Sequence, residues 1–343
     1  MQVKEPLSRE GEVDQMPQLS SARSVNFPPY CPEPKFKNSQ LTSIQPFDAI
    51  TERARKDDTF LNWDFNSPNP DVNPVSDACL VFINAMATEG WDRDGLHDDF
   101  SDGLILNVAS KCANTVVVVH NAGIRLVDQW IEHPNITGVI MAHLPGQESG
   151  QALVKILYGE VSPSGKLPYT LAKNESDYNA YLPCMAEPGD LYPQCNYTEG
   201  VYIDYRDFDA KNITPRYEFG FGMSYSTFEY SSIVVQGPTG TNSTLWSNVA
   251  KIQATITNTG SVQAAEVAQL YLGIPNSPAK QLRGFEKMLL CPRESGTATF
   301  DLTRRDISVW DVEVQDWVVQ KGKYNVYVGA SSRDTRLTGV FEL

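Results

Sequence analysis

The chain is 343 residues long, carries a formal net charge of −14 and has one charged residue in five. That balance excludes nucleic acid and anionic membrane surfaces as partners, because both need a basic face that displaces counterions. The length suffices for two domains, at most three, each able to bury its own core.

Residues 1–45 are rich in Pro, Ser and charged side chains with little periodicity, so a poorly ordered or unrelated leader is expected. Met1–Tyr30 lacks the apolar core of a signal peptide, and the chain has no span of about twenty apolar residues. The spacing in Phe47-Asp48-Ala49-Ile50-Thr51-Glu52-Arg53-Ala54-Arg55 predicts an amphipathic helix, followed by a polar connector over 58–76. Apolar strands then alternate with helical segments. Strands are predicted at 78–84, 115–120 and 136–142, and helices near 102–111, 124–132 and 146–157. Short connections between such strands indicate a mostly parallel sheet with covering helices. A turn and a further strand are expected over 159–171.

A long irregular stretch rich in Tyr, Pro and Asp fills 172 to about 222, and loops of that length are commonly functional or linking. Its Tyr202, Tyr205, Tyr217, Phe219, Phe221 and Tyr225 are read chiefly as packing aromatics. Segments at 226–236, 249–258, 265–272, 296–302, 317–319 and 323–330 are short, several of them alternating, and separated by Gly, Pro, Asn and Ser. They predict an antiparallel β-sandwich. The fold class is therefore α/β plus all-β, with domains at 46–225 and 226–343 behind the leader at 1–45.

Six cysteines (Cys31, Cys79, Cys112, Cys184, Cys195, Cys291) form no Cys-x-x-Cys pair, so no zinc or dithiol redox site is indicated. Cys79 and Cys112, in or beside apolar segments, are expected to be buried free thiols. Cys184 and Cys195 bracket a Pro- and Tyr-rich loop and could pair, although connectivity does not follow from sequence. Glycosylation sequons at Asn135, Asn174, Asn196, Asn212 and Asn242 favour a secreted glycoprotein, against which stands the absence of a signal sequence.

The densest chemistry follows the strand at 78–84, in the loop that carries Glu89, Trp91, Asp92, Arg93, Asp94, His97, Asp98, Asp99 and Asp102. Ligands of open α/β sheets sit where loops leave the carboxyl ends of strands. Glu89 alone would be a solvated surface charge. Beside Gly90 and Trp91 it gains a tight turn and a flat apolar plate, which would raise its pKa towards that of a general acid and could stack on a sugar. Calcium binding fails, since Leu96 stands at the fifth ligand position and no Glu follows at the twelfth. Asp102 is read as a helix N-cap and Arg93 as a partner of the loop carboxylates. No metal and no cofactor is expected. The four histidines are scattered and no Gly-x-Ser-x-Gly elbow is present, so a serine hydrolase triad is unsupported.

Ala87-Thr88-Glu89-Gly90, Leu144-Pro145-Gly146-Gln147-Glu148-Ser149-Gly150, Ser164-Gly165-Lys166-Leu167-Pro168-Tyr169, Gly200-Val201-Tyr202-Ile203-Asp204-Tyr205-Arg206, Thr214-Pro215-Arg216-Tyr217-Glu218-Phe219-Gly220-Phe221-Gly222 and Leu282-Arg283-Gly284-Phe285-Glu286 occur in this order. Together they resemble the carboxyl-terminal half of glycoside hydrolase family 3, and most closely its fungal β-glucosidases. The resemblance implies an α/β sandwich followed by a fibronectin type III-like domain, both preceded in the family by a (β/α)8-type barrel. It implies retaining hydrolysis of terminal β-glucosyl residues, with an Asp nucleophile from the barrel, Glu89 as acid/base and Trp91 flanking the aglycone. β-Glucosides or oligosaccharides are the implied substrates, and the family is secreted.

No barrel precedes residue 46, so the expected chain lacks the nucleophile. Retention needs two carboxyls about 5 Å apart. The isolated chain is therefore expected to be inactive, and its uncovered apolar face to promote association with itself or with a separate barrel. The alternative reading is a noncatalytic carbohydrate-binding or structural module derived from such an enzyme.

Overall fold

Thr115-Val116-Val117-Val118-Val119 is β-branched throughout, which favours extended backbone and fits a strand covered on both faces. In the computed structural model, which describes residues 2–4 (backbone only), 44–87, 93, 95–178, 198–238 and 244–343, that run lies within a five-stranded parallel sheet. The chain forms two compact units, 1–160 and 161–343.

The first unit contains β1 (Gln2–Lys4), α1 (Pro46–Lys56), β2 (Asn62–Trp63), β3 (Cys79–Ala85), α2 (Asp99–Ala109), β4 (Thr115–Asn121), β5 (Ile136–Met141) and α3 (Ser149–Leu157). The strand order is β2-β1-β3-β4-β5, and every neighbouring pair is parallel. β1 therefore places three residues of the expected leader inside the sheet. The remainder of that expectation, residues 5–43, lies outside the described residues.

Every residue of β3 except Asn84 is buried. One face of the sheet packs Leu80, Phe82 and Val118 against Ala49 and Ile50 of α1 and Leu153 and Val154 of α3. The two helices approach closely at Gly150. A Cβ there would collide with the Gln45 carbonyl and the Ala49 methyl, so the last glycine of the 146–150 motif is a packing residue.

Three expectations need correction. Residues 124–127 are irregular and 128–132 form turns in place of a helix: Ile131 N donates to Val127 O, but the buried Arg125 side chain is drawn inward and Pro134 follows. Residues 159–171 form no strand, and Leu171 makes only an isolated bridge to Tyr217. Cys79 and Cys112 are not free thiols. They form a disulfide with Cα atoms 6.4 Å apart across 33 residues. Cys79 opens β3 opposite Thr115, and Cys112 ends the turn after α2, so the parallel register brings the two together.

Closing a loop of that size contributes about 3–4 kcal/mol in the chain-entropy description. Cys112→Ser should lower the urea midpoint of the first unit accordingly, and an unchanged midpoint would contradict it. Cys291 is free and exposed, whereas Cys184 and Cys195 lie outside the described residues.

The second unit begins irregularly, with one turn of 3₁₀ helix (Glu175–Asp177) and one short α-helix, α4 (Tyr205–Ala210), among its described residues before the sandwich. β6 (Phe228–Gln236), β7 (Asn248–Asn258), β8 (Ala264–Gly273), β9 (Gln281–Leu290), β10 (Ser295–Thr303), β11 (Ser308–Asp311), β12 (Asp316–Val319), β13 (Lys323–Gly329) and β14 (Thr335–Glu342) follow. They form the sheets β10-β7-β6 and β14-β13-β8-β9 plus the hairpin β11-β12. β7 alternates along most of its length, sending Ile252, Ala254 and Ile256 into the core with Leu270, Leu272, Val326 and Val328.

β9, β11 and β14 were not anticipated, because their alternation is diluted by charged and Gly positions such as Arg283, Gly284, Glu286 and Lys287. Tyr205 packs on Phe219 and Tyr271 and accepts from Leu282 N, so much of the aromatic group of the connector does pack. Tyr202 and Tyr225 remain exposed.

Candidate active site

Parallel strands present their carboxyl ends at one edge of the sheet, and here that edge carries polar side chains. Asn84 pairs in register with His120 and Ala85 with Asn121, while Ala122 N donates to Ala85 O. His143 follows β5 with φ 52°. Burial holds both His120 and His143 below the ordinary histidine range, and the His120 ring stacks on Phe82 at 6.3 Å. Both are therefore neutral in the fold at neutral pH.

The sign for stability follows directly. Unfolded histidines take up protons near pH 6.5 while these two resist, so their contribution is present above that pH and is lost as pH falls through their depressed values. The melting temperature should fall between pH 7 and 5, and His120→Gln should flatten that slope. An identical slope in the variant would remove His120 from the explanation.

The chain leaves the edge at Ala85, through exposed Met86 and Ala87. Glu89 and Trp91, the proposed acid/base and sugar plate, lie outside the described residues, as do Asp92 and Asp94. The returning limb is well anchored. Arg93 Nη1 donates to Ile124 O at 2.6 Å, and Leu126 N donates to Leu96 O at 2.8 Å. Asp98 caps α2, accepting from Ser101 N at 2.7 Å. The cap is thus Asp98 and not Asp102, which lies inside the helix a full turn later and faces inward.

Asp102 is 6 % exposed, and Arg125 and Trp130 are each 1 % exposed. Arg125 Nη2 donates to Asp102 Oδ1 at 2.7 Å, and Trp130 Nε1 donates to the same oxygen at 2.9 Å. Arg125 Nη1 donates to Leu126 O, Nη2 also reaches Asp98 Oδ2 at 3.4 Å, and His97 Nδ1 stands 3.4 Å from Asp102 Oδ2. Burial pushes Asp102 above the ordinary carboxylate range, and the Arg125 charge and both hydrogen bonds offset this only in part.

This network ties the loop's return to the turns between β4 and β5. Sequence reasoning missed Arg125 and Trp130, because both fell inside the helix expected near 124–132 and neither was singled out there. The one available signal was the rarity of an Arg between buried aliphatics.

Among the described residues, no group of three or more His, Cys, Asp or Glu could hold a metal ion, and no helix is long and apolar enough to cross a membrane. A parallel sheet whose carboxyl edge feeds an acidic loop, followed by an antiparallel sandwich, is the architecture implied by the motif order. The profile of the glycosyl hydrolase family 3 C-terminal domain matches residues 22–225, more than half of the chain. The chain belongs to that family.

A fibronectin type III-like domain profile matches residues 266–332 of this family 3 chain. Beta-glucosidase cel3A of Pyricularia oryzae is 62% identical over 331 residues, covering 93% of this chain and 41% of the relative. Probable beta-glucosidase M of Aspergillus niger is 54% identical over 322 residues, covering 89% of this chain and 42% of the relative. The crystal structure of beta-D-glucoside glucohydrolase from Trichoderma reesei superposes with a TM-score of 0.79 at 41% identity, over 88% of this chain and 45% of that one. The family 3 chain thus spans about two fifths of the length of the curated relatives it matches.

Proposed function

We propose that this family 3 chain supplies the proton-donating half of a retaining β-glucosidase, with Glu89 as acid/base and Trp91 flanking the aglycone. The observation that carries the reading is the position of the two described ends of the loop that holds Glu89 and Trp91. The loop leaves the carboxyl end of β3 beside His120 and Asn121, and its return is fixed by the buried Asp102–Arg125–Trp130 network. Relatives named beta-glucosidase match nine-tenths of the chain, which supports a terminal β-glucoside as substrate. The nucleophile is assigned to the part of those relatives that this sequence does not span.

Exposed apolar side chains at the same edge support that assignment. Met86 follows β3, Leu144 follows β5 and Phe100 stands in the first turn of α2, all three exposed. A covering domain, or a second copy of the chain, would remove them from water.

Purified chain assayed on an aryl β-glucoside should be indistinguishable from buffer, and should gain activity when the preceding segment of the Pyricularia oryzae relative is co-expressed. Light scattering should show association of the chain alone and its loss in the reconstituted protein. Turnover by the lone chain that Glu89→Gln abolishes would overturn the assignment of the nucleophile elsewhere.

Secretion and glycosylation belong to the same reading. Asn174 and Asn212 are exposed, whereas Asn135 donates its amide to Ala109 O at 2.8 Å. Peptide mass spectrometry of chain secreted from a fungal host should find glycans at Asn174 and Asn212 and none at Asn135. A modified Asn135 would show that this hydrogen bond does not protect it. Asn196 and Asn242 lie outside the described residues.

A further inference from the structure

The hairpin β11-β12 contributes little to the sandwich core, yet it is built around aromatic side chains. Trp310 and Trp317 face each other across its two strands, with ring centroids 5.8 Å apart and an edge-on geometry. The Arg305 guanidinium lies 4.4 Å from the Trp317 ring and 5.6 Å from the Trp246 ring. Trp246, Arg305, Trp317 and Trp310 therefore form one continuous row on the second unit.

Hydrogen bonds to backbone carbonyls hold the row in place. Arg305 N donates to Leu245 O at 2.9 Å, Arg304 N to Ser247 O at 3.0 Å, and Arg304 Nη2 to Trp317 O at 3.2 Å. Its aromatic surface is nevertheless in water, with Trp246 71% and Trp310 46% exposed. Arg305 stacks on two indoles, but its guanidinium donates to no protein acceptor among the described residues. Its planar fork of N–H donors is thus available at the edge of the row.

We infer that this row, on the second unit, is a second carbohydrate site, which takes a neutral β-linked gluco-oligosaccharide. β-Glucosyl rings present C–H faces that fit exposed indoles, and equatorial hydroxyls at their rims accept from an arginine. The formal charge of −14 disfavours an anionic polymer. Three indoles, as against one, favour several sugar rings over a monosaccharide. A site of this kind would hold the chain on polymeric or oligomeric substrate.

The test is calorimetric titration of the whole chain with cellotetraose, with maltotetraose as the α-linked control. Saturable binding of cellotetraose is expected, weakened about tenfold or more by Trp310→Ala and by Trp246→Ala. Trp246 lies outside the hairpin, so it tests the site even if Trp310→Ala unfolds β11-β12. Glu89→Gln and Trp91→Ala should leave this binding unchanged, which separates it from the catalytic loop. Absence of saturable binding, or binding lost only with Trp91→Ala, would overturn the inference. So would tryptophan variants that abolish self-association in light scattering without changing sugar affinity, because the row would then be a protein interface.

Discussion

In the reconstituted enzyme, Glu89→Gln should cut hydrolysis of a β-glucoside with a poor, alkoxide-like leaving group by about 10²–10⁴-fold. A general acid contributes by protonating the departing oxygen as the glycosidic bond breaks, and an amide cannot do this. With a dinitrophenyl aglycone, which leaves without protonation, glycosylation should slow far less. The glycosyl-enzyme would then accumulate, because the same carboxylate must activate water in the second step. Equal loss on both substrates would mean that Glu89 holds the site together and does not transfer the proton. Full activity of the variant on both would remove Glu89 from the mechanism.

The second large effect is expected at Asp102. Asp102→Leu leaves the Arg125 guanidinium buried with its principal partner gone and strips Trp130 Nε1 of its acceptor. Removing one member of a buried ion pair costs about 3–5 kcal/mol. Leu is the better helix former, so propensity cannot account for a loss. Asp102→Asn retains an oxygen for Trp130 and should cost less, on the order of 1.5–3 kcal/mol. Urea unfolding of the first unit, followed by Trp130 fluorescence, measures both. A Leu variant within about 1 kcal/mol of the parent would show that Arg125 finds water or another acceptor, and that the network does not fix the loop. In reconstituted enzyme, Asp102→Asn should lower kcat through loop position while leaving the pH profile in place.

Much of the fold was legible because it is local. The β-branched run at Thr115–Val119 and the apolar run at Cys79–Ala85 announce buried parallel strands, and alternation at Val249–Asn258 announces a sheet with one face inward. The helix expected over 124–132 failed because Arg125 is drawn into the interior, where its charge is met by Asp102, 23 residues earlier. β9 failed for the opposite reason. Arg283, Glu286 and Lys287 obscured a strand whose ladder partner, β8, supplies the apolar face.

The sequence by itself determined the strands β3, β4 and β5, the change from parallel sheet to antiparallel sandwich, and membership of family 3, because these show in local periodicity and in the order of motifs along the chain. Tertiary structure alone decided that Cys79 closes on Cys112, that Asp102 is a buried counterion where a cap was expected, and that Trp246, Arg305, Trp310 and Trp317 share a surface. Each of these joins side chains from separate elements. Whether such groups meet depends on strand register and the course of the connections, which no local pattern encodes.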